Sequence, residues 1–261
     1  MDLGIAGKCA LVLGAGGGLG GAIAHSLADE GAKVVVADIN GDAAAQTVRS
    51  IHGAGGEAFA LHWDIADLSV LEAKVAEIEE RYGPVAILVN NTGGPPPTPV
   101  LGVSPDQWSQ FFQSMVVSVI ALTDRVLPNM RKMKWGRIIT STSSGVVAPI
   151  PNLGLSNALR SSLVGWSKTL AKEVGADGVT ANIVLPGRIG TARIAFLDEQ
   201  RAKREGRSVE DISAESISSI PVGRYGEPRE YGDVVAFLAS TRSSYLTGSI
   251  IRIDGGMIAS I

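Results

Sequence analysis

Leu-Gly-Ala-Gly-Gly-Gly-Leu-Gly-Gly occupies residues 13–21, directly after the apolar run Cys9-Ala10-Leu11-Val12 and directly before Ala22-Ile23-Ala24. A strand that ends in clustered glycines and runs into a helix is suited to cradling phosphate. The glycines allow a tight turn, and without side chains they let backbone N–H groups approach a pyrophosphate at the positive end of the helix. A second strand, 34–37, ends at Asp38, about twenty residues after the loop. A carboxylate there can accept hydrogen bonds from an adenosine ribose and would repel a 2′-phosphate. This favours NAD(H) over NADP(H), against the plainer reading of Asp38 as a strand-end turn residue.

Outward from the loop, short β-branched runs at 10–13, 34–37, 58–62, 86–89 and 137–140 alternate with longer periodic segments. Leu71, Val75, Ile78 and Tyr82 make one helical stripe, closed by Gly83-Pro84. Ser104-Pro105-Asp106-Gln107 has the form of a capping box with Pro at the first helical position, opening a helix toward Asn129. Residues 153–174 read as another long helix and 179–185 as a strand; Glu227-Pro228 starts a helix through Leu238, and 250–253 is a last strand. Continuous apolar strands alternating with helices predict an α/β chain with a parallel sheet covered on both faces. No linker or repeat divides residues 1–261, which read as one domain. Pro95-Pro96-Pro97-Thr98-Pro99 is a stiff loop, either a spacer or a ligand for a partner domain. The segment 192–216, rich in Arg, Glu and Lys, reads either as a solvated helix pair or as a mobile polar lid over the substrate site.

Composition narrows the classes. A chain of 261 residues, 45% hydrophobic, can bury a large core. A net charge of −3 gives no electrostatic footprint for nucleic acid or an anionic membrane. The single Cys9 excludes an internal disulfide framework and fits a reducing, cytoplasmic compartment. His25, His52 and His62 are scattered, so no metal is expected. Residues 1–5 lack the basic flank and apolar core of a signal peptide, and no apolar run reads as a membrane span.

Asp64-Ile65 after the third strand and Asn90-Asn91-Thr92-Gly93 after the fourth sit where strand ends meet the crevice of an open sheet. Joined to Gly14-x-x-x-Gly18-x-Gly20, Gly136-Arg137-Ile138-Ile139 with Ser143, Pro186-Gly187-Arg188-Ile189-Gly190-Thr191 and Asp254-Gly255-Gly256, they make the chain resemble the short-chain dehydrogenase/reductase family over essentially its whole length. The 3-oxoacyl-acyl-carrier-protein reductases are the group it is most similar to. The resemblance implies a single-domain, doubly wound Rossmann fold with a seven-stranded parallel sheet, a nicotinamide cofactor and a small-molecule substrate. It also implies a homotetramer or homodimer built from the two long helices. The implied cofactor residues are Gly14, Gly18, Leu19, Gly20, Asp38, Asp64, Ile65, Asn90, Gly93, Arg160, Pro186, Gly187, Ile189 and Thr191. Two positions qualify this. Leu13 stands where the family commonly has a Thr whose hydroxyl braces the turn. Gly17 stands where NADP-preferring relatives often carry a basic residue, in agreement with Asp38.

In the family a tyrosine transfers the proton while hydride moves between nicotinamide and a carbonyl carbon. A lysine lowers the tyrosine's pKa and holds the ribose, a serine polarises the carbonyl, and an asparagine supports a water relay. Mapped by spacing, the serine is Ser143, but the tyrosine position is Ser156, the lysine position Arg160 and the asparagine position Met115. The only tyrosines are Tyr82, Tyr225, Tyr231 and Tyr245, none on this segment. Ser156 and Arg160 are one helical turn apart and can share a face. A serine hydroxyl holds its proton far more tightly than a phenol, and an arginine stays protonated. Losing a positioned acid costs about 10²–10⁴ in rate, or roughly 3–5 kcal/mol of barrier. Three readings follow. The first is an oxidoreductase with a rearranged proton path through Ser143, Ser156, Arg160 and water. The second is a weakly active NAD(H)-binding sensor or partner subunit. The third is a fold kept for assembly alone, which sits poorly with the retained glycines, Asp38, Asp64 and Asn90. Arg188 either joins Arg160 in holding an anionic substrate or serves in an ion pair.

Overall fold

The computed structural model describes residues 1–261. Seven strands, β1 (Cys9–Leu13), β2 (Lys33–Asp38), β3 (Glu57–His62), β4 (Val85–Asn90), β5 (Gly136–Ser141), β6 (Val179–Pro186) and β7 (Ile250–Ile253), form one sheet. Its order is β3-β2-β1-β4-β5-β6-β7 and every pairing is parallel. The predicted apolar runs all lie within these strands. The helices are α1 (Gly18–Asp29), α2 (Gly41–Gly53), α3 (Leu71–Tyr82), α4 (Pro105–Phe112), α5 (Ser118–Met133), α6 (Gly154–Val174), α7 (Ala192–Glu205), α8 (Val209–Ser218) and α9 (Pro228–Ala239).

The period-two alternation of strand side chains divides the interior into two layers. In β1, Ala10 and Val12 point into a core shared with Ile23 and Leu27 of α1, Ala44 and Ile51 of α2, and Val235 of α9. Cys9, Leu11 and Leu13 point the other way, toward Val75 and Ile78 of α3, Val126 of α5 and Val174 of α6. Both faces are covered, as a wholly parallel sheet requires. Strand order reverses between β1 and β4, the switch point where a crevice opens beyond the strand ends.

The Ser104 capping box forms: Gln107 N donates to Ser104 Oγ at 3.2 Å and Ser104 N to Gln107 Oε1 at 3.4 Å. The helix it starts continues past the expected Asn129 to Met133, through one π-helical turn at Gln113–Val117. This corrects one expectation, because the run Pro105–Met133 is 29 residues long and apolar enough by composition to cross a membrane. In the fold it packs sideways: Val126 and Met130 meet the sheet layer, and Met115, Val116 and Val119 meet Leu155, Leu159 and Leu163 of α6.

The charged segment becomes the helix pair α7 and α8. Arg201 and Arg207 both reach Glu215, and Arg201 also holds Glu205 at 2.8 Å. These pairs lie at the surface, where water and salt screen them and leave them little weight in stability. The proline loop leans on the start of α6, where Gly154 N donates to Thr98 O at 3.2 Å.

Burial pushes the Cys9 thiol up to about 12, with Glu79 adding to the effect and Lys33 opposing it. A raised thiol pKa keeps the thiolate scarce at neutral pH. Cys9 is therefore expected to be inert to a disulfide-exchange reagent in the folded protein and to react stoichiometrically once denaturant opens β1. Full reaction under native conditions would show that β1 is not the buried centre of the sheet.

Candidate cofactor and substrate cleft

The glycine loop joins β1 to α1 and is held from both sides. Gly14 and Gly18 have φ of +57° and +54°, where a side chain would be strained. A Cβ on Gly20 would stand 2.1 Å from the Gly14 carbonyl oxygen. On one side Asp38 Oδ2 accepts from Gly16 N at 2.8 Å, while Oδ1 accepts from Asn40 N at 2.8 Å. On the other side Asn91 Nδ2 donates to Leu13 O at 3.2 Å and to Gly14 O at 3.3 Å. The Asn91 carboxamide thus braces the turn beside Leu13, a role the sequence reading did not assign. Its only sequence signal is its place in Asn90-Asn91 at the switch point.

No side chain caps α1 and no acid sits in its first turn, so its first N–H groups remain available to an anion. A Cβ on Gly17 would meet nothing within 4 Å, whereas one on Gly16 would stand 2.9 Å from Asp38 Oδ2. Each Asp38 oxygen accepts one backbone N–H and keeps capacity for a hydroxyl donor. These features fit a dinucleotide.

The other cofactor candidates gather at the same sheet edge. Leu19 packs its half-buried side chain beneath the loop. Asp64 is exposed, its Oδ1 accepting from Ala66 N at 2.9 Å, and Ile65 packs on the core beside it. Asn90 is fully buried; its Nδ2 donates to Thr140 Oγ1 at 3.3 Å and Thr123 Oγ1 at 3.4 Å, and its Oδ1 has no partner. After Pro186, Gly187 N donates to Ile253 O at 2.8 Å, and a Cβ there would lie 2.5 Å from Asp254 Cα. Ile189 is buried and Thr191 caps α7, Ile194 N donating to its Oγ1 at 3.5 Å. A Cβ on Gly18 would stand 3.8 Å from Thr191 Cγ2, so the β6–α7 connection lies over the N-terminus of α1.

Of the catalytic candidates, Ser143 follows β5 and its Oγ accepts from Gly145 N at 3.1 Å. Ser156 and Arg160 are both buried on α6. Arg160 Nη1 donates to Ser141 O at 3.3 Å, and Nη2 donates to Thr92 O at 3.0 Å and Gly93 O at 3.3 Å. Burial pulls the guanidinium down to about 10; Tyr231 opposes the shift and Arg193 adds to it. It remains charged at neutral pH. Met115, expected at the asparagine position, is buried in the π turn among Val119, Leu155 and Leu159 as an apolar plug. Tyr231 lies beneath the strands, its hydroxyl 2.8 Å from Ser141 Oγ, and burial raises its pKa.

Of the two readings of Arg188, the structure shows the ion pair. Its Nη1 meets Asp198 Oδ1 at 2.5 Å, and Tyr225 Oη donates to Asp198 Oδ2 at 2.7 Å, with Asp198 buried. The second guanidinium near Arg160 is Arg193, whose Nη2 donates to Pro95 O at 2.8 Å. It was legible only as one charge among many in 192–216. Beside Ser143, a hollow of about 530 Å³ is lined by Val146, Pro149, Ile150, Asn157 and Ser161. A hollow of about 580 Å³ lies away from this chemistry, between α3 and α5.

A family described as Enoyl-(Acyl carrier protein) reductase matches residues 14–258. The 3-oxoacyl-[acyl-carrier-protein] reductase FabG of Vibrio cholerae is 36% identical over 254 residues, covering 96% of this chain and 97% of the relative. Among solved structures, YwfH, an NADPH-dependent reductase involved in bacilysin biosynthesis, superposes with a TM-score of 0.92 at 28% identity, covering 97% of this chain and 99% of that one. The L-sorbose reductase of Gluconobacter frateurii, solved with NADPH and L-sorbose, gives a TM-score of 0.93 at 29% identity and covers 100% of both chains.

Replacing Asn91 by Ala strips the side-chain donor from two carbonyls, at about 1 kcal/mol each. Asn91→Ala is expected to lower unfolding stability by about 1–2 kcal/mol in urea titration. An unchanged midpoint would show that Asn91 does not brace the loop.

Proposed function

The chain belongs to the short-chain dehydrogenase/reductase family, and on that premise we propose an NAD(H)-dependent oxidoreductase whose proton path runs through Ser143, Ser156, Arg160 and water. At the coarser level it is an oxidoreductase of carbonyl or hydroxyl substrates. The observation that carries the cofactor half is the glycine loop pinned to Asp38 beneath an uncapped helix end. Two solved relatives are NADPH proteins, so the NAD(H) preference rests on Asp38 and the open Gly17. Gly14, Gly18, Leu19 and Gly20 would hold the pyrophosphate and Asp38 the adenosine ribose. Asp64, Ile65, Asn90 and Gly93 would line the crevice, with Pro186, Gly187, Ile189 and Thr191 on the nicotinamide side. When bound, the nicotinamide supplies or accepts hydride.

The chain's own residues divide the remaining work. Ser143 Oγ already accepts from Gly145 N, which leaves its O–H free to donate to a substrate oxygen. Arg160, fixed by backbone carbonyls, contributes positive potential where that oxygen gains charge. It is no acid, so the proton comes from water ordered at Ser143 and Ser156. The substrate is a small molecule under the α7–α8 pair, acting as the lid. We assign the protein to the cytoplasm and to a homotetramer or homodimer, built as the family resemblance implies. The buried Met115, which leaves no polar side chain at the water-relay position, favours a second reading: an NAD(H)-binding sensor or partner subunit of low activity.

Calorimetry is expected to show NADH bound more tightly than NADPH, and the reverse order would remove the Asp38 argument. Reduction of ordinary ketones and 3-oxoacyl thioesters should be slow, and Ser156→Tyr combined with Arg160→Lys should raise it by about tenfold or more. Fast wild-type turnover of those thioesters would contradict the impaired proton path. Tight NADH binding with no turnover across ketones, thioesters and oxo acids would favour the sensor reading.

A further inference from the structure

Arg160 and Arg193 meet in one small volume with no carboxylate to answer them. The Nη2 atoms of Arg193 and Arg160 lie 3.4 Å and 3.6 Å from the point that a Cβ on Gly94 would occupy. Both side chains donate only to backbone carbonyls, those of Ser141, Thr92 and Gly93 for Arg160 and of Pro95 for Arg193. Of the other partly buried arginines, Arg125 is matched by Glu72 and Glu79, Arg188 by Asp198 and Arg201 by Glu205 and Glu215, while Arg252, near the end of the chain, donates to Ser260. Arg137, the other buried arginine without an acid, sits at the start of β5, the opposite end of the sheet, and stacks on Trp135 at 4.4 Å.

Arg193 also stands at the wrong end of its helix. It lies in the first turn of α7, just after the Thr191 cap, where the helix dipole is positive and a cation is disfavoured. Burial lowers its pKa, and its charge adds to the lowering at Arg160. The two guanidiniums therefore bring positive charge to the same place. An anion there removes their mutual repulsion and takes up the N–H donors that the carbonyls leave free.

We propose that Arg160 and Arg193 together bind a carboxylate of the substrate, so that this protein acts on oxo or hydroxy acids rather than neutral ketones. The proposal rests on the oxidoreductase reading for the word substrate, while the anion site itself stands on the arginine pair. The pair sits over residues 92–95 beyond β4 and adjoins the glycine loop, which Asn91 and Thr191 both approach. It also touches Ser141, two residues before Ser143. A carboxylate held there lies on the Ser143 side of the crevice. Planar guanidiniums suit a planar two-oxygen ligand better than a point anion.

The test is a calorimetric titration of the full chain with butanoate and with butanamide, with and without NADH. Circular dichroism and a thermal melt check the fold of each variant. The expected result is that wild type binds butanoate about tenfold or more tighter than butanamide. Arg193→Leu and Arg193→Gln bring the two ligands within about twofold, Arg193→Lys keeps most of the preference, and NADH affinity changes by less than about threefold. Equal or undetectable binding of both ligands to wild type overturns the proposal, as does a preference that survives in Arg193→Leu. A large loss of NADH affinity in Arg193→Leu, with the butanoate preference intact, also overturns it and assigns the pair to the cofactor's pyrophosphate. Butanoate preference with no NADH binding supports the anion site and removes the oxidoreductase reading alone. With turnover as readout, 3-oxobutanoate should be preferred over its methyl ester through KM, and the preference should vanish in Arg193→Leu.

Discussion

A sheet whose strands all run one way, buried on both faces, brings every strand's C-terminal end to the same edge. Backbone groups there have left the ladder and still need partners. Side chains from distant segments supply them: Asp38 takes the Gly16 N–H, Asn91 covers the Leu13 and Gly14 carbonyls, and Arg160 covers the carbonyls of Ser141, Thr92 and Gly93. The cleft is thus the place where the fold settles its open backbone valences, with Asn91 and Arg160 spanning neighbouring strands. Changing either alters local stability and the ligand site together.

The chain's treatment of charge follows from the same geometry. Where a buried cation has an acid within reach, as with Arg188 and Asp198, the pair ties the 186–191 turn to α7 and, through Tyr225, to the segment before α9. An ion buried without such a partner costs several kcal/mol even after the protein relaxes. At Arg160 carbonyl dipoles meet part of that cost. They are neutral acceptors, however, and the approach of Arg193 adds repulsion rather than relief. The asparagine position shows the opposite choice. A π turn lies there, and Met115 fills it with packing against α6.

How much of this the sequence showed depends on distance along the chain. The strands and helices are written in local periodicity, and the helix starts at Ser104 and Glu227 in local capping chemistry. The glycine loop and Asp38 were legible because their roles depend on residue type and short spacing. Asn91 reaches back 77 and 78 residues to its carbonyls, and Arg193 reaches 98 residues to Pro95, so no local pattern announces either. Arg188 lies only 10 residues from Asp198, near enough for an ion pair to be weighed from sequence but not chosen. The run 105–133 is apolar enough by composition to pass for a membrane span. Composition along a chain does not reveal which faces a helix buries against neighbours, and here those faces are a sheet layer and α6.

On the proposed reading, the cleft separates two contributions that a tyrosine–lysine pair delivers together. Stabilising the negative charge that grows on a reacting oxygen needs a fixed positive field, which costs no reorganisation if it is already in place. Supplying the proton needs a group whose pKa lies near the working pH. Arg160 meets the first need well, because its carbonyl partners hold it still, and cannot meet the second. A substrate that brings its own carboxylate changes the balance again, since part of the positive field is then spent on binding. The arginine closer to that carboxylate sets affinity, and the other sets the potential at the oxygen. Rate would then depend on how water reaches Ser143, whose hydroxyl hydrogen the Gly145 N–H contact leaves unused.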